Sequence, residues 1–511
     1  MTANTSAKQP VTAAKRPVTS AAAGPAPHAG RRAWLGLAVL ILPTLLVAVD
    51  INAVFLAMPK LSAALGATGT QQLWIADGYG FMVAGFVLSM GSLGDRIGRR
   101  RMLMTAGAAF GALSVLAAYS SSAEMLIACR LLLGVAGASL MPSTLALIMT
   151  MFADDRQRAL AVTIWSTTMF GGAAIGPVFG GVLLDHFWWG SVFLVAAPVI
   201  AVMLVLAPLT LPETGDPTAG RLDARSVALC LGAILPSAWA VKQLAATSVD
   251  IVAVVVAAVV GIGCGVVFVR RQRGLTAPML RLELLRDRRV STILLAMLVT
   301  GSGLAGLGWV STQYLQSVVG LSPLSAAVAF SPMGLAMAAG CMLSPLLTRR
   351  LTPGAAIAAG LAFSTFGFLP AIFVHGPVAL VLTDSLVAFG TGPLFALGTG
   401  LVVGSVMPVH AGSAAALAEV SNYLGGTLGI TVFGTIAAAV YHAKLGAAPT
   451  QARESIAGAT EASHAVGGAN GQQLLATAGY AFASGASVVA VAGMALFAGL
   501  ALICRHAAAT N

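Results

Sequence analysis

Runs of about 20 apolar residues, separated by short segments that hold nearly all the charge, constrain this chain more than any other feature. A run of that length crosses a bilayer core as a helix. In lipid only helices and closed barrels satisfy their own backbone polar groups. The runs lack a two-residue alternation, so they read as helices rather than barrel strands. Of 511 residues, 58% are hydrophobic and 9% are charged, against roughly 25% charged in a soluble domain. A soluble fold of this composition would have no polar surface to face water. Base exceeds acid, with 28 Lys and Arg against 17 Asp and Glu. Because the charges sit beside the spans, membrane topology explains them better than a nucleic-acid partner, and none is expected.

Fourteen candidate spans can be drawn, at 34–58, 72–92, 102–120, 124–147, 157–183, 189–210, 225–246, 248–269, 290–313, 322–347, 353–374, 377–402, 412–440 and 479–503. An even number puts both termini on one side. With that side cytoplasmic, the inner segments hold Lys8, Lys15, Arg16, Arg31, Arg32, Arg96, Arg99, Arg100, Arg101, Arg156, Arg158, Arg221 and Arg225. They also hold Arg270, Arg271, Arg273, Arg281, Arg286, Arg288, Arg289, Arg349, Arg350 and Arg505, whereas the outer ones hold only Lys60, Lys444 and Arg453. A wrong count would scramble this asymmetry. The division that follows is a disordered basic cytoplasmic tail 1–33, an N-terminal six-helix bundle 34–210, two inserted helices with a basic loop 211–289, a C-terminal six-helix bundle 290–503 and a cytoplasmic tail 504–511. The long outer loop 441–478 has the composition of a short helix or hairpin. The loop near 345–351, PLLTRRL, is a weak second copy of the loop at 91–103, which fits two parallel halves with a substrate site between them.

Chemistry of the enzymatic kind finds no footing. Cys129, Cys230, Cys264, Cys341 and Cys504 lie in or beside apolar runs, with no C-x-x-C pair. There is no phosphate-binding glycine loop, no G-x-S-x-G and no H-E-x-x-H, so no cofactor and no metal are expected. The informative segments are others. Gly91-Ser-Leu-Gly94-Asp95-Arg96-Ile-Gly98-Arg99-Arg100-Arg101 makes a tight turn between the second and third spans, where glycines allow close backbone approach and one acid can pair with several arginines. The fifth span carries Gly172-Ala-Ala-Ile-Gly176-Pro177-Val-Phe-Gly180-Gly181, a stripe of small residues that lets helices approach, with a proline kink. Arg130 and Gly134 lie within the fourth span. Plain anchoring and plain helix packing also explain arginines and glycines of these kinds.

The first segment matches the loop signature G-x-L-a-D-r-x-G-r-k of the major facilitator superfamily, and Arg130 with Gly134 matches its R-x-x-q-G, with Leu133 in place of Gln. The fifth-span glycines resemble the antiporter motif of drug exporters. The end of the first span, Val49-Asp50-Ile-Asn52-Ala-Val-Phe55 to Pro59, is similar to the pattern D-x-T-x-V-x-x-x-A-x-P of the fourteen-helix drug:proton antiporters, with Asn52 where Thr is usual. Leu73-Trp74-Ile75-Ala-Asp77-Gly-Tyr79 resembles the branch that exports quaternary ammonium compounds, methyl viologen and dyes. The resemblance implies an all-α membrane protein of the major facilitator fold with 6 + 2 + 6 helices, acting as a monomer in the plasma membrane. It implies a multidrug efflux antiporter that moves lipophilic cations out by alternating access and protons in. Trp74, Tyr79, Trp165 and Phe170 are expected along the substrate path, where aromatic faces attract cations.

Four acids fall within spans: Asp50, Asp77, Asp384 and Glu419. At 1.5 Å per residue Asp50 lies roughly 12 Å below the outer helix end, Asp77 and Asp384 roughly 8–10 Å below theirs, and Glu419 about 10 Å above its inner end. Such carboxylates are candidates for proton coupling or cation binding. Structural pairing with Arg130 or Lys242 is the plain alternative, and Asp77, nearest the mouth, also reads as a wet surface acid. Two other functions stay open: a channel or sensor without coupled flux, and an exporter of an endogenous metabolite or antibiotic with incidental drug efflux.

Overall fold

The computed structural model describes residues 29–213, 223–244, 249–275, 282–373, 376–405, 411–446 and 448–509. Among them every regular element is helical. The first half holds α1 (Arg31–Leu65), α2 (Gly69–Ile97), α3 (Arg99–Ala118), α4 (Ala123–Met151), α5 (Asp155–His186), the short α6 (Ser191–Leu194) and α7 (Ala196–Thr210). Two further helices follow, α8 (Ala224–Gln243) and α9 (Ile251–Gly274). The second half holds α10 (Arg288–Gln313), α11 (Pro323–Leu347), α12 (Pro353–Gly367), the short α13 (Leu369–Phe373), α14 (Pro377–Gly404), α15 (Ala411–Leu445), the short α16 (Thr450–Glu454), α17 (Ile456–Val466) and α18 (Gly468–Ala509).

Twelve helical segments among the described residues are long and apolar enough to cross a membrane. α2 and α5, of 29 and 32 residues, are also long enough to cross a bilayer core. Asp154, Asp223, Asp250 and Asp287 each cap a helix N-terminus, accepting from a backbone N–H of the first turn. Four of the acids outside the apolar runs thus have a local structural use. The segment 441–478 is more helical than its composition suggests. It continues α15, turns through α16 and α17, and enters α18 at Gly468, ahead of the apolar stretch; the Tyr441 hydroxyl donates to the Ala452 carbonyl at 2.8 Å and closes the turn.

Glycines set how closely the helices pack. In α14, a Cβ on Gly392 would strike the backbone of Gly340 and Cys341 in α11. In α15, one on Gly429 would strike the Ser302 backbone of α10. Small residues at crossings are how membrane helices gain packing without a hydrophobic drive. α8 packs against α9, α2 and α15, and α9 is largely exposed on its other side. The inserted pair therefore lies along a seam between α2 of one half and α15 of the other.

Candidate functional site

The seam is knitted at the end of the bundle opposite the arginine-rich turn. α2 and α15 approach where Gly434 admits Leu73 and Gly80 admits Thr427; a Cβ at either glycine would collide. Nearby, the Gln313 amide of α10 donates to Gln72 of α2 at 3.2 Å, and Phe55 of α1 meets Trp309 of α10 edge-on at 5.8 Å between centroids. On the other flank, a Cβ on Gly181 of α5 would lie 2.7 Å from the Leu324 Cα of α11, and Ser322 donates to Asp185 at 3.2 Å.

Two buried carboxylates occupy this region, each with its own cation. Asp50 of α1 pairs with Arg130 of α4 at 2.7 Å. The arginine also donates from Nε to the Ile75 carbonyl at 3.0 Å and stands 5.0 Å from the Tyr79 ring centroid. Gly134 and Gly137 explain why α4 can deliver a guanidinium there. A Cβ at the first would hit the Tyr79 backbone and Met82, and at the second the Tyr79 ring. The Arg130 and Gly134 spacing thus serves one purpose, to bring α4 against the α2 turn that carries Tyr79.

Asp77 is the second. At eight residues into α2 it lies about 12 Å from the first residue of that helix, and only 1% of it is exposed. The reading of Asp77 as a wet surface acid is therefore overturned: its helix is covered there by α8 and α15. Its Oδ1 takes an ion pair from Lys242 of α8 at 2.7 Å, and its Oδ2 accepts from the Thr431 hydroxyl of α15 at 2.6 Å. The Lys242 ammonium also sits 3.7 Å above the Trp74 ring and 5.5 Å from that of Phe81. One carboxylate thereby touches the first half, the inserted pair and the second half.

The remaining expected site residues are dispersed. Trp165 of α5 is buried and donates to Thr144 of α4 at 3.1 Å. Asp384 of α14 is buried without a cationic partner among the described residues; the Ser311 hydroxyl of α10 flanks it outside good hydrogen-bond geometry. The side chains of Asp95, Phe170 and Glu419 lie outside the described residues. In α5, Gly172 and Gly180 pack on Ala48 and Ala53 of α1, and Gly176 and Pro177 are buried, while Ile175 and Phe179 of the same stretch point outward. The glycine face of α5 is thus turned inward, toward α1 and α11.

In the arginine-rich turn, Gly98 takes a φ of +103°, which a side chain would strain, and a Cβ there would meet the Glu213 carboxylate. A Cβ at Gly94 would stand 3.1 Å from Arg99, while Gly91 has open space beside it. Arg100 pairs with Glu213 at 3.2 Å and Arg101 at 3.7 Å; Arg100 also donates to the Leu211 carbonyl at 3.1 Å. Arg96 closes the last turn of α2. Sequence reasoning overlooked Glu213; the available signal was an acid just past α7, at the same end as the arginines. It also treated Lys242 as only a possible structural partner, and it did not consider Thr431.

The Major Facilitator Superfamily model matches residues 40–430. The chain belongs to that superfamily. Among similar major facilitator proteins is the multidrug efflux pump LfrA of Mycolicibacterium smegmatis, 39% identical over 90% of this chain and 93% of the relative. The methyl viologen resistance protein SmvA of Salmonella typhimurium is 31% identical over 81% of this chain and 84% of its own length. A bacterial homologue of the human lysosomal transporter Spinster, solved in an inward-facing, unoccupied conformation, shares the fold with a TM-score of 0.65 at 15% identity, covering 93% of this chain and 97% of that one. As a major facilitator protein with about twelve candidate spans among the described residues, the chain is a multi-pass transporter of the cell's inner membrane.

Proposed function

We propose that this transporter is a proton-coupled multidrug efflux antiporter that exports lipophilic cations by alternating access. In this reading α2 and α5 also cross the bilayer. That makes fourteen spans in a 6 + 2 + 6 order with both termini cytoplasmic, as the arginine distribution favours. The domain limits are those drawn from the sequence: bundles at 34–210 and 290–503, with the inserted pair at 211–289 between them. The molecule works as a monomer in lipid, with protons and small cationic drugs as its partners.

The observation that carries the reading is the buried Asp50–Arg130 pair beside Tyr79. A carboxylate at this depth is compensated by one positive partner at a time: the guanidinium, a proton or a drug cation. That exclusivity is what antiport needs, because binding of one ligand weakens the other and the coupling is reciprocal. When a proton arrives, Arg130 keeps the Ile75 carbonyl and the Tyr79 face. Asp384, Asp77 and Glu419 are secondary candidates for proton or cation binding. Trp74, Tyr79, Trp165 and Phe170 are the proposed aromatic contacts of the cation. The glycines of α5, with Pro177, would let α1 and α11 shift against α5. The turn from Gly91 to Arg101, with Asp95, would act as a latch whose arginines hold Glu213 in one state. Likeness to LfrA and SmvA supports drug cations as the substrate class.

The direct test is a panel of quaternary ammonium compounds, methyl viologen and cationic dyes on cells expressing the chain. The expected result is higher survival and lower retention of at least one cation class. Retention equal to that of cells without the chain, across the whole panel, would overturn the reading.

A further inference from the structure

Lys242 lies on the inserted pair, yet it reaches a fully enclosed acid of the first half. It is the next-to-last residue of α8, and both it and Asp77 have no exposed side-chain surface. Its ammonium is surrounded by one carboxylate and two aromatic rings. Asp77 supplies the counter-charge at 2.7 Å, Trp74 a ring face at 3.7 Å, and Phe81 a second ring at 5.5 Å. A carboxylate with aromatic faces is how proteins hold ammonium groups. Thr431, from the opposite half, orients the carboxylate through its other oxygen.

We propose that Lys242 is a tethered occupant of a cation-binding site formed by Asp77, Trp74 and Phe81, and that a lipophilic monocation takes its place during transport. The inference rests on the cation-export reading and adds a specificity-determining residue from the inserted helices. Two features support displacement over a fixed strut. Lys242 stands one residue from the end of α8, so its four-carbon stem can carry the ammonium toward the interface while the backbone stays in place. The exchange conserves charge, since one cation leaves Asp77 as another arrives, and no bare carboxylate is left in lipid. After the substrate departs, the returning lysine neutralises Asp77 and closes the site between halves through the Thr431 contact. The lysine is therefore both competitor and reset. The charge balance also sets specificity: one carboxylate with one tethered cation favours monovalent ligands.

The test is equilibrium binding of tetraphenylphosphonium to the purified full chain, with tetraphenylborate as a control of matched shape and opposite charge. Lys242→Met removes the competitor. A site open in a tenth of molecules binds about tenfold more weakly than one always open, so a gain of that order or more is expected for the cation and none for the borate. Asp77→Asn combined with Lys242→Met should lose the gain. Binding by the wild type together with unchanged or weaker binding by folded Lys242→Met would overturn the proposal and leave the export reading standing. Absence of cation binding to wild type and variant alike would overturn both. A second measurement needs no variant. An amine-reactive, membrane-impermeant reagent should label Lys242 faster once tetraphenylphosphonium is added to the wild type, and unchanged labelling under saturating cation contradicts displacement.

Discussion

Replacing Asp50 by Asn is expected to abolish export of a monovalent lipophilic cation driven by a pH gradient. Asn preserves the shape and removes the titrating group, so neither proton nor cation gains a counter-charge at that position. The substitution also strands the Arg130 guanidinium, which is 1% exposed. Removing one partner of a buried pair costs about 3–5 kcal/mol, so lower expression accompanies the lost flux. The double variant Asp50→Asn with Arg130→Gln separates the two effects. It leaves no uncompensated charge, so expression and thermal stability recover toward wild type while coupled flux stays absent. Asp50→Glu keeps partial flux, because a titrating group survives one methylene away. Export at the wild-type rate in Asp50→Asn, with an intact response to the gradient, would make Asp50 a structural residue and shift attention to Asp384, a buried acid with no cationic partner among the described residues.

The second large effect is on stability and falls at Asp77. Asp77→Asn removes the counter-charge of Lys242, so the ammonium is either left unpaired between Trp74 and Phe81 or swings out and opens the contact between α8 and α2. The expected loss is again about 3–5 kcal/mol, seen as a lower unfolding temperature in detergent. A cation ligand cannot repair it, since the missing charge is negative. Neutralising both members, Asp77→Asn with Lys242→Met, recovers most of the loss, because a buried pair is often replaceable by neutral groups of similar volume. If Asp77→Asn melted as the wild type does, the buried ion pair would contribute nothing to holding α8 on the seam.

Much of the fold is legible in the chain because lipid imposes a strong pattern. The apolar runs and the one-sided arginines mark helices long before any packing is known. Helix ends are less legible, since hydropathy marks where a helix enters lipid and not where it stops. The last run reads as 479–503, yet α18 extends from Gly468 to Ala509, through residues polar enough to leave the apolar core.

The site is legible in part for a related reason. Arg130 and Asp50 each stand out as an ion within an apolar run, but their pairing joins residues 80 apart and depends on Gly134 and Gly137 letting α4 meet α2. The partners of Asp77 are 165 and 354 residues distant, on the inserted pair and in the second half. No spacing rule links such positions; only the packing of α8 along the seam does. Thr431 has no distinguishing signal at all, being one hydroxyl among many in α15.

The most direct measurement of the central claim is proton movement in proteoliposomes holding the purified chain and a trapped pH indicator. Adding a lipophilic cation on one side should drive protons the opposite way, with a rate that saturates in cation and vanishes in Asp50→Asn. Cation uptake that saturates without any proton movement, or a current that grows with concentration without saturating, would contradict coupled antiport.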